Sequence, residues 1–450
     1  MPTVERVHIQ PLTGVPASMY TRLREAQRQA AAVWNVCCER HRQARIDGER
    51  WPRRSDLQQA TKGGQFALHS QSVQRVVHAF LANVDTTRQL RAEGYRQMRY
   101  PYKTKRYYPV HWPRQAMAVY AHKIVLPMGR GHKSIVLARP DGLPDDGAAC
   151  KLVWNGAGFE LHWSVAEPDA PLKREGTRAT ADLGQIHQVA VTVETGEALV
   201  VSGRGMRSEK RRLSKTHGRL ARLQSRCKKG SRRWWKLQTA RNRQAARARR
   251  RIRDARHKGV RAAVDFCEAQ GVNRLYIGNP HGVRSRDCGR HHNQRMSQWE
   301  YGTDLDYFED KSQSAGIECF NGTERGTSSH CPECGHRHKP KGRMWRCRKC
   351  GLTGHRDVVG GVNMHPIAYG NRIAFPHRIT YLRPGRDNAF RQAAGMNNPP
   401  LGSSSGLDTG QSRPGGAVAA ARPYAQPPGS PGSREGQGKR SAQRSEAYPH

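Results

Sequence analysis

The chain opens with Val4-Glu5-Arg6-Val7-His8-Ile9, where apolar and polar residues alternate with the two-residue period of a β-strand. Over residues 18 to about 46 the spacing becomes helical, with Leu23, Ala30, Val33, Trp34 and Cys37 on one side. A second helical stretch begins near Ser70, carries Val73, Val76, Val77, Phe80, Leu81 and Val84, and runs to about Met98. Between the two lies a loop rich in Arg, Gly and Gln. After Tyr100 come short β-type runs at 107–112, 117–121, 123–126, 134–137, 151–154 and 160–165, separated by Gly, Pro and Asp. The order predicts a small β-barrel or sandwich (residues 1–14 and 101–168) into which a helical module, residues 15–100, is inserted.

A polar linker from 168 to 176 leads into three further β-type runs at 178–184, 188–194 and 198–202, whose close succession predicts an antiparallel meander. Residues 204–258 read as a helical hairpin. Leu213, Leu220, Leu223, Trp234, Trp235, Leu237 and Ile252 give it a sparse apolar stripe, and Lys229-Gly230-Ser231 a turn. Arg274-Leu-Tyr-Ile277 and Gly316-Ile-Glu-Cys-Phe320 read as strands joined by a helix over 293–315, which is a parallel βαβ unit. Apolar patterning fades after Gly370, so residues 371–450 are expected to form a disordered basic tail rich in Gly, Ser and Pro.

Charge changes this picture from fold to partner. The 450 residues hold 78 Lys or Arg against 36 Asp or Glu, a formal charge of +42. Enzymes of small metabolites need only a local patch of charge; a surplus of this size points to a polyanion, and nucleic acid is the obvious one. Residues 204–258 alone hold 23 basic and two acidic residues, a net +21. Their Arg211, Arg212, Arg219, Arg222, Lys228, Lys229, Arg232, Arg233, Arg247, Arg249, Arg250 and Arg251 are the expected nucleic-acid contacts. No apolar run reaches the ~18 residues of a membrane span, and the first ten residues lack the apolar stretch of a secretory signal, so a cytoplasmic, nucleoid-associated protein with no membrane partner is expected.

Eleven cysteines, an odd number, do not suggest a disulfide framework. Four of them stand as Cys331-Pro-Glu-Cys334, twelve residues, then Cys347-Arg-Lys-Cys350. Each knuckle sets two thiolates on one side of a tight turn, and two knuckles complete a tetrahedral, structural Zn²⁺ site over residues 327–352. Lys339, Lys341, Arg343, Arg346, Arg348 and Lys349 make this ribbon a second surface for nucleic acid.

In so basic a chain the carboxylates at strand ends are informative. Asp182 sits inside the first strand of the meander, where a carboxylate is costly unless it faces a cleft and binds a cation. Asp357 follows the ribbon in Gly354-His-Arg-Asp-Val-Val-Gly-Gly-Val-Asn363 and opens a helix. Taken singly, Asp182 also reads as a solvent-facing strand residue and Asp357 as a helix cap.

Asp182-Leu-Gly, the basic hairpin, Gly326-Thr-Ser-Ser-His-Cys-Pro-Glu-Cys, the ribbon and Arg-Asp-Val-x-Gly-Gly-x-Asn, in this order, resemble the TnpB family. Those proteins are compact RNA-guided DNA endonucleases of bacterial insertion sequences, relatives of the type V CRISPR effectors. The resemblance covers residues 1 to about 370, with weaker echoes at Ser70-Gln-Ser-Val-Gln74 and Arg99-Tyr-Pro-Tyr-Lys103. It implies an α+β multidomain protein. An RNase H-like RuvC nuclease (residues 169–326 and 353–370) would be split by the zinc ribbon and preceded by a wedge β-barrel with its inserted recognition module. It further implies a guide RNA from the transposon locus, a double-stranded DNA target, and two Mg²⁺ ions held by Asp182 and Asp357.

One departure stands out. Where the family carries a glutamate at the end of the second catalytic strand, this chain reads Tyr276-Ile-Gly278-Asn279-Pro280. Glu324, at the exit of the neighbouring parallel strand, is the best substitute, since strands ~4.8 Å apart let it reach the same ions. The plainer role for Glu324 is an ion pair with Arg325 or Arg343, and Asp304, Asp306 and Glu309 are weaker candidates for the acid. Three functions therefore stand open: a nuclease using Asp182, Glu324 and Asp357, an RNA-guided DNA-binding protein without cleavage, and a zinc-ribbon transposition accessory factor.

Overall fold

The computed structural model describes residues 3–384 except 144, 146, 147, 169, 281–286 and 339–341. Most of the expected tail, residues 385–450, therefore lies outside the described residues, as do Lys339 and Lys341.

The front half closes its first strand against its last. β1 (Thr3–Pro11) pairs antiparallel with β7 (Phe159–Pro168), and β6 (Ala149–Trp154) and β2 (Val110–Trp112) complete a four-stranded sheet. β3 (Ala118–Val119), β4 (Lys123–Leu126) and β5 (Ile135–Ala138) form a second, separate sheet, so the described strands make two small sheets rather than a hydrogen-bonded barrel. Between β1 and β2 run α1 (Ala17–Ile46), α2 (Arg54–Ala60) and α3 (Ser70–Ala92). The helix α2 occupies what reads in the sequence as loop. The helix α3 stops short of Met98 because Glu93 is followed by Gly94 at φ +99°. The helices and both sheets share one core, with Leu23, Val33, Trp34 and Phe80 of the helices against Trp112, Leu126, Leu152 and Trp163 of the strands. The inserted module thus has no separate interior.

The second half is built on a six-stranded sheet in the order β12-β11-β8-β9-β10-β15. The expected meander is β8 (Thr177–Leu183), β9 (His187–Val193) and β10 (Glu197–Ser202). β11 (Val272–Asn279) joins β8 in parallel, and β12 (Glu318–Thr323) joins β11 in parallel. β15 (Arg378–Leu382) adds a sixth strand parallel to β10, so the expected tail does not begin at 371. In its sequence, Arg-Ile-Thr-Tyr-Leu, Ile379 packs with Val358 on one face of the sheet and Leu382 is buried on the opposite face. A single five-residue strand after a Gly- and Pro-bounded stretch gives too short a pattern to read.

The basic hairpin is α4 (Arg204–Ser225) and α5 (Arg232–Ala269). The second helix runs past residue 258 because Val260, Ala263, Val264, Phe266 and Cys267 bury against the sheet. On the same side lies α7 (Tyr301–Ser314), which contributes the buried Phe308. The one helix expected over 293–315 is two, α6 (Arg290–Ser297) and α7, interrupted at Gln298–Glu300 where Trp299 turns into the interior.

Side chains alternate across a strand, so Ala179, Ala181 and Leu183 of β8 face the α5 side while Thr180 and Asp182 face the other. That other side is covered by α8 (Arg356–Tyr369), which comes unusually close. The Thr180 hydroxyl donates to the Gly361 carbonyl at 2.7 Å, and a methyl group placed on Gly361 would meet the Thr192 Oγ1 at 2.2 Å. Replacing Gly361 by alanine should push α8 off the sheet at a cost of about 1–3 kcal/mol, the usual size of overpacking. A lowered melting temperature checks this, and an unchanged one would show that the contact is slack.

Candidate metal centres

Three acidic side chains converge at the carboxyl-terminal ends of β8 and β12 and the start of α8. Parallel register sets the first two: Ile277 of β11 lies opposite Ala181, one residue before Asp182, and Gly278 lies opposite Gly322, two residues before Glu324. The end of β12 is fixed by the Tyr276 hydroxyl, which donates to the Thr323 carbonyl at 2.9 Å. The Glu324 carbonyl then accepts from the Thr327 hydroxyl at 2.9 Å, closing the next turn.

Two glycines make room for the carboxylates. A methyl group on Gly278 would meet Glu324 Oε2 at 2.8 Å and its Cβ at 3.0 Å, so the Glu324 side chain fills the space where a side chain on residue 278 would start. A methyl group on Gly360 of α8 would likewise meet Asp182 Oδ2 at 2.8 Å. Glu324 makes no ion pair with Arg325 or Arg343 among the described residues, and its Oε2 is buried without a hydrogen-bond partner.

The charges feel one another. Burial, then the nearby Glu324 and Asp357, hold the Asp182 carboxyl well above the usual carboxylate range. Burial and the Asp357 charge push Glu324 up to about 7. Crowded, half-buried carboxylates with an unpartnered oxygen have the donor chemistry that suits a hard divalent cation such as Mg²⁺, while the ligand atoms that lie within 4.8 Å of one another here are those of His187, His355 and Asp357.

Asp357 differs. Burial raises it, but the His187 hydrogen bond, Arg343 and His355 outweigh burial and leave it below the ordinary value. His187 Nδ1 lies 2.8 Å from Asp357 Oδ2, and Arg343 Nη1 donates to both carboxylate oxygens at 2.9 and 3.2 Å. His355, not Asp357, caps α8, accepting the Asp357 N–H on its Nδ1 at 3.3 Å. Burial, with His187 and Arg343 beside it, lowers His355 to about 4, which leaves it neutral near pH 7. His187 and His355 were not singled out in the sequence, although each lies within five residues of one of the two aspartates.

The ribbon delivers Arg343. Cys331, Cys334, Cys347 and Cys350 bring their sulfurs within 4.8 Å of one another, with Cys331–Cys350 and Cys334–Cys347 at 3.5 Å. Zinc–thiolate bonds of about 2.3 Å place tetrahedral sulfurs roughly 3.8 Å apart, so the four fit zinc. Trp345 is fully buried against this cluster and against Val359 of α8. The hairpin of β13 (Met344–Arg346) and β14 (Thr353–His355) runs straight into α8, and the Arg343 carbonyl accepts the Arg356 N–H at 2.8 Å.

The weaker acidic candidates lie apart from the three. Asp304 is fully buried and pairs with Arg256 at 3.0 Å, and Asp306 and Glu309 are exposed on α7. Of the expected nucleic-acid contacts, all are exposed except Arg212, which is half-buried. Arg212 and Arg251 both reach Glu209, at 2.6 and 3.6 Å.

Comparison with known proteins adds a second line of observation. Residues 162–284 match the family described as a probable transposase, OrfB_IS605, and residues 301–364 match the Cas12f1-like TNB domain. The TnpB-like protein MJ0751 of Methanocaldococcus jannaschii is 25% identical over 140 residues, 30% of this chain and 50% of that protein, so the match spans half of that relative's length. In fold, the chain is similar to the protein in the cryo-EM structure of a Cas12f1–sgRNA–target DNA complex, with TM-score 0.55 and 13% identity over 78% of this chain and 83% of that one. At that identity the likeness is one of fold.

Two outcomes follow from these centres. Elemental analysis should find zinc in the purified protein, and Cys331→Ser or Cys347→Ser should release it and open the ribbon to protease, because metal binding is folding free energy in so small a module. A zinc-free protein with an intact ribbon would contradict this. The second concerns pH. A glutamate near 4.3 when unfolded and about 7 when folded holds an extra proton in the folded state between those values, so without divalent cation its contribution to stability falls as pH rises through that window. Mg²⁺ needs the ionised form, so it should raise the melting temperature more at pH 8 than at pH 5.5, and Glu324→Gln should shrink the difference, leaving the part that Asp182 contributes.

Proposed function

Since the chain belongs to the TnpB family, we propose that it is an RNA-guided DNA endonuclease of an insertion sequence, hydrolysing target DNA beside a short adjacent motif. The observation that carries this reading is Glu324 lying over Gly278: the acid that the family keeps on one strand is supplied here by the next. A protein that had merely lost the glutamate would have no reason to keep a buried, unpaired carboxylate at that spot.

Asp182, Glu324 and Asp357 are the residues that would hold Mg²⁺. When bound, such ions activate the attacking water and stabilise the leaving 3′-oxygen of a phosphodiester. The chain's own groups do the rest. His187 and Arg343 fix the orientation of Asp357, and neutral His355 anchors the first turn on which it sits. Partial burial limits how far bulk water screens the acids. The exposed cations of α4 and α5 are suited to hold the phosphates of guide RNA or of the guide–target duplex. The ribbon's Arg346, Arg348 and Lys349 are exposed for the same purpose.

Cleavage of a plasmid target with guide RNA and Mg²⁺, measured beside binding of the same target, tests the reading. Asp182→Ala, Glu324→Ala and Asp357→Ala should each lower cleavage by more than about a hundredfold, the scale on which one electrostatic contributor to a transition state acts. Guided binding should survive. Gly278→Glu combined with Glu324→Ala should regain part of the loss, since truncating Glu324 removes its carboxylate from the space beside residue 278 and leaves the flexible end of Met364, 2.7 Å away, as the group that must shift. Guided binding by the unaltered protein without any cleavage would establish the nuclease-dead reading instead.

A further inference from the structure

Two histidines close on Asp357 from elements other than its own. His187 opens β9, and His355 closes β14 two residues before Asp357 on α8. The turn that carries His187 depends on Gly184, where a methyl group would meet the His187 carbonyl at 2.7 Å. One ligand atom from each of His187, His355 and Asp357 lies within 4.8 Å of the others, and the two imidazole rings stand 4.6 Å apart, centre to centre, at 68°. Apart from the four cysteines, this is the only such group among the described residues. Asp357 is the one member of the acidic centre that belongs to it.

The chemistry of this group differs from that of three carboxylates. Mg²⁺ takes carboxylates and water, whereas imidazole nitrogen suits borderline ions such as Zn²⁺ and its first-row neighbours. Metal–ligand bonds of about 2.0–2.1 Å set neighbouring donors roughly 3.0–3.4 Å apart. His187 Nδ1 and Asp357 Oδ2 already stand at 2.8 Å, so an ion would take the place of the proton they share. Arg343 holds the other carboxylate oxygen, its Nη1 donating to Oδ1 at 2.9 Å, as ligating carboxylates are commonly held from outside the metal. The guanidinium charge opposes an incoming cation, but its side chain is 39% exposed and water screens it.

The group also has a way in. A cavity of about 920 Å³ has His187, His355 and Arg343 in its wall. It leaves room for waters to complete the coordination of an ion that has only three protein ligands. No aspartate or glutamate lines this cavity, so an ion entering it meets the nitrogen donors before any acid.

We propose that His187, His355 and Asp357 form a site for one borderline transition-metal ion, distinct from the cysteine cluster and from Asp182 and Glu324, and that an ion held there withdraws Asp357 from Mg²⁺. Such an ion is then an inhibitor that acts through a shared ligand. The competition rests on reading Asp357 as an Mg²⁺ ligand; the binding does not.

The test uses the full chain, its cysteine cluster first loaded with zinc, and Co²⁺ as the probe. Visible absorption should report one further Co²⁺ per chain, with d–d bands but without the charge-transfer band of thiolate ligation. His187→Ala and His355→Ala should each weaken this binding at least about tenfold. So should His187→Asn, which keeps a hydrogen-bond donor for Asp357 but has no imidazole. Glu324→Gln should bind Co²⁺ like the unaltered protein. Absence of the further Co²⁺ would overturn the proposal, as would undiminished binding by histidine variants that melt like the unaltered protein, or a loss in Glu324→Gln alone. A second arm reads the competition. Zn²⁺ added beyond the cysteine cluster's equivalent should shrink the rise in melting temperature that Mg²⁺ causes at pH 8, and His187→Asn should restore that rise. If Co²⁺ binds as stated and Zn²⁺ leaves the Mg²⁺ response whole, the site stands and only the reading of Asp357 as an Mg²⁺ ligand fails.

Discussion

Two consecutive glycines set how closely α8 lies on the sheet, and the acidic centre depends on that distance. Gly361 lets the helix backbone reach the Thr180 hydroxyl, and Gly360 leaves room above the Asp182 carboxylate. With side chains of ordinary size at either position, the helix would stand off and carry Asp357 away from the strand ends. The close approach also forces buried carboxylates together, which a net charge of +42 elsewhere does little to relieve, because long-range charge is screened within about 8–10 Å. Local partners do the relieving instead. Asp357 has His187 and Arg343, whereas Glu324 and Asp182 have burial and each other.

Glu324 and Gly278 are best understood as a single choice made over two strands. Neighbouring parallel strands lie about 4.8 Å apart, so a carboxylate at the exit of β12 reaches across the end of β11. It can do so only if β11 ends without a side chain in the way, and Met364 of α8 presses on the same spot, 2.7 Å from where a methyl group on Gly278 would sit. The glycine is therefore the space that the Glu324 side chain occupies. Tyr276, bonded across to Thr323, keeps the two strand ends in register.

The parts legible in the sequence were those with a local signature. Cysteine spacing marked the ribbon; periodicity marked α1, α3, the meander and the basic hairpin; and the contexts around residues 182, 324 and 357 marked the acids. What escaped was decided by tertiary contact. The strand β15 is five residues whose hydrophobic pattern has meaning only beside β10. The helix α5 continues past its basic stretch because the sheet covers its apolar end, and Trp299, turned inward, separates α6 from α7. The two sheets of the front half look like a barrel from strand count alone; which edges pair is settled by the helices packed between them. Arg343 read as one more basic residue of the ribbon or as a partner for Glu324, yet its Nη1 closes on both oxygens of Asp357, and no spacing rule connects a residue between two knuckles to a carboxylate beyond the second.

The order of these parts along the chain has a consequence for how the molecule comes into being. The front half emerges from the ribosome first, then Asp182, then the whole of the cationic hairpin. Glu324 follows, and Asp357 appears only after both cysteine pairs. The edge strand that completes the sheet is made later still. A nascent chain therefore carries its cationic hairpin well before its acids can assemble. On the proposed function it is at first a binder and only at the end a nuclease, with the folding of the ribbon as the event that separates the two stages.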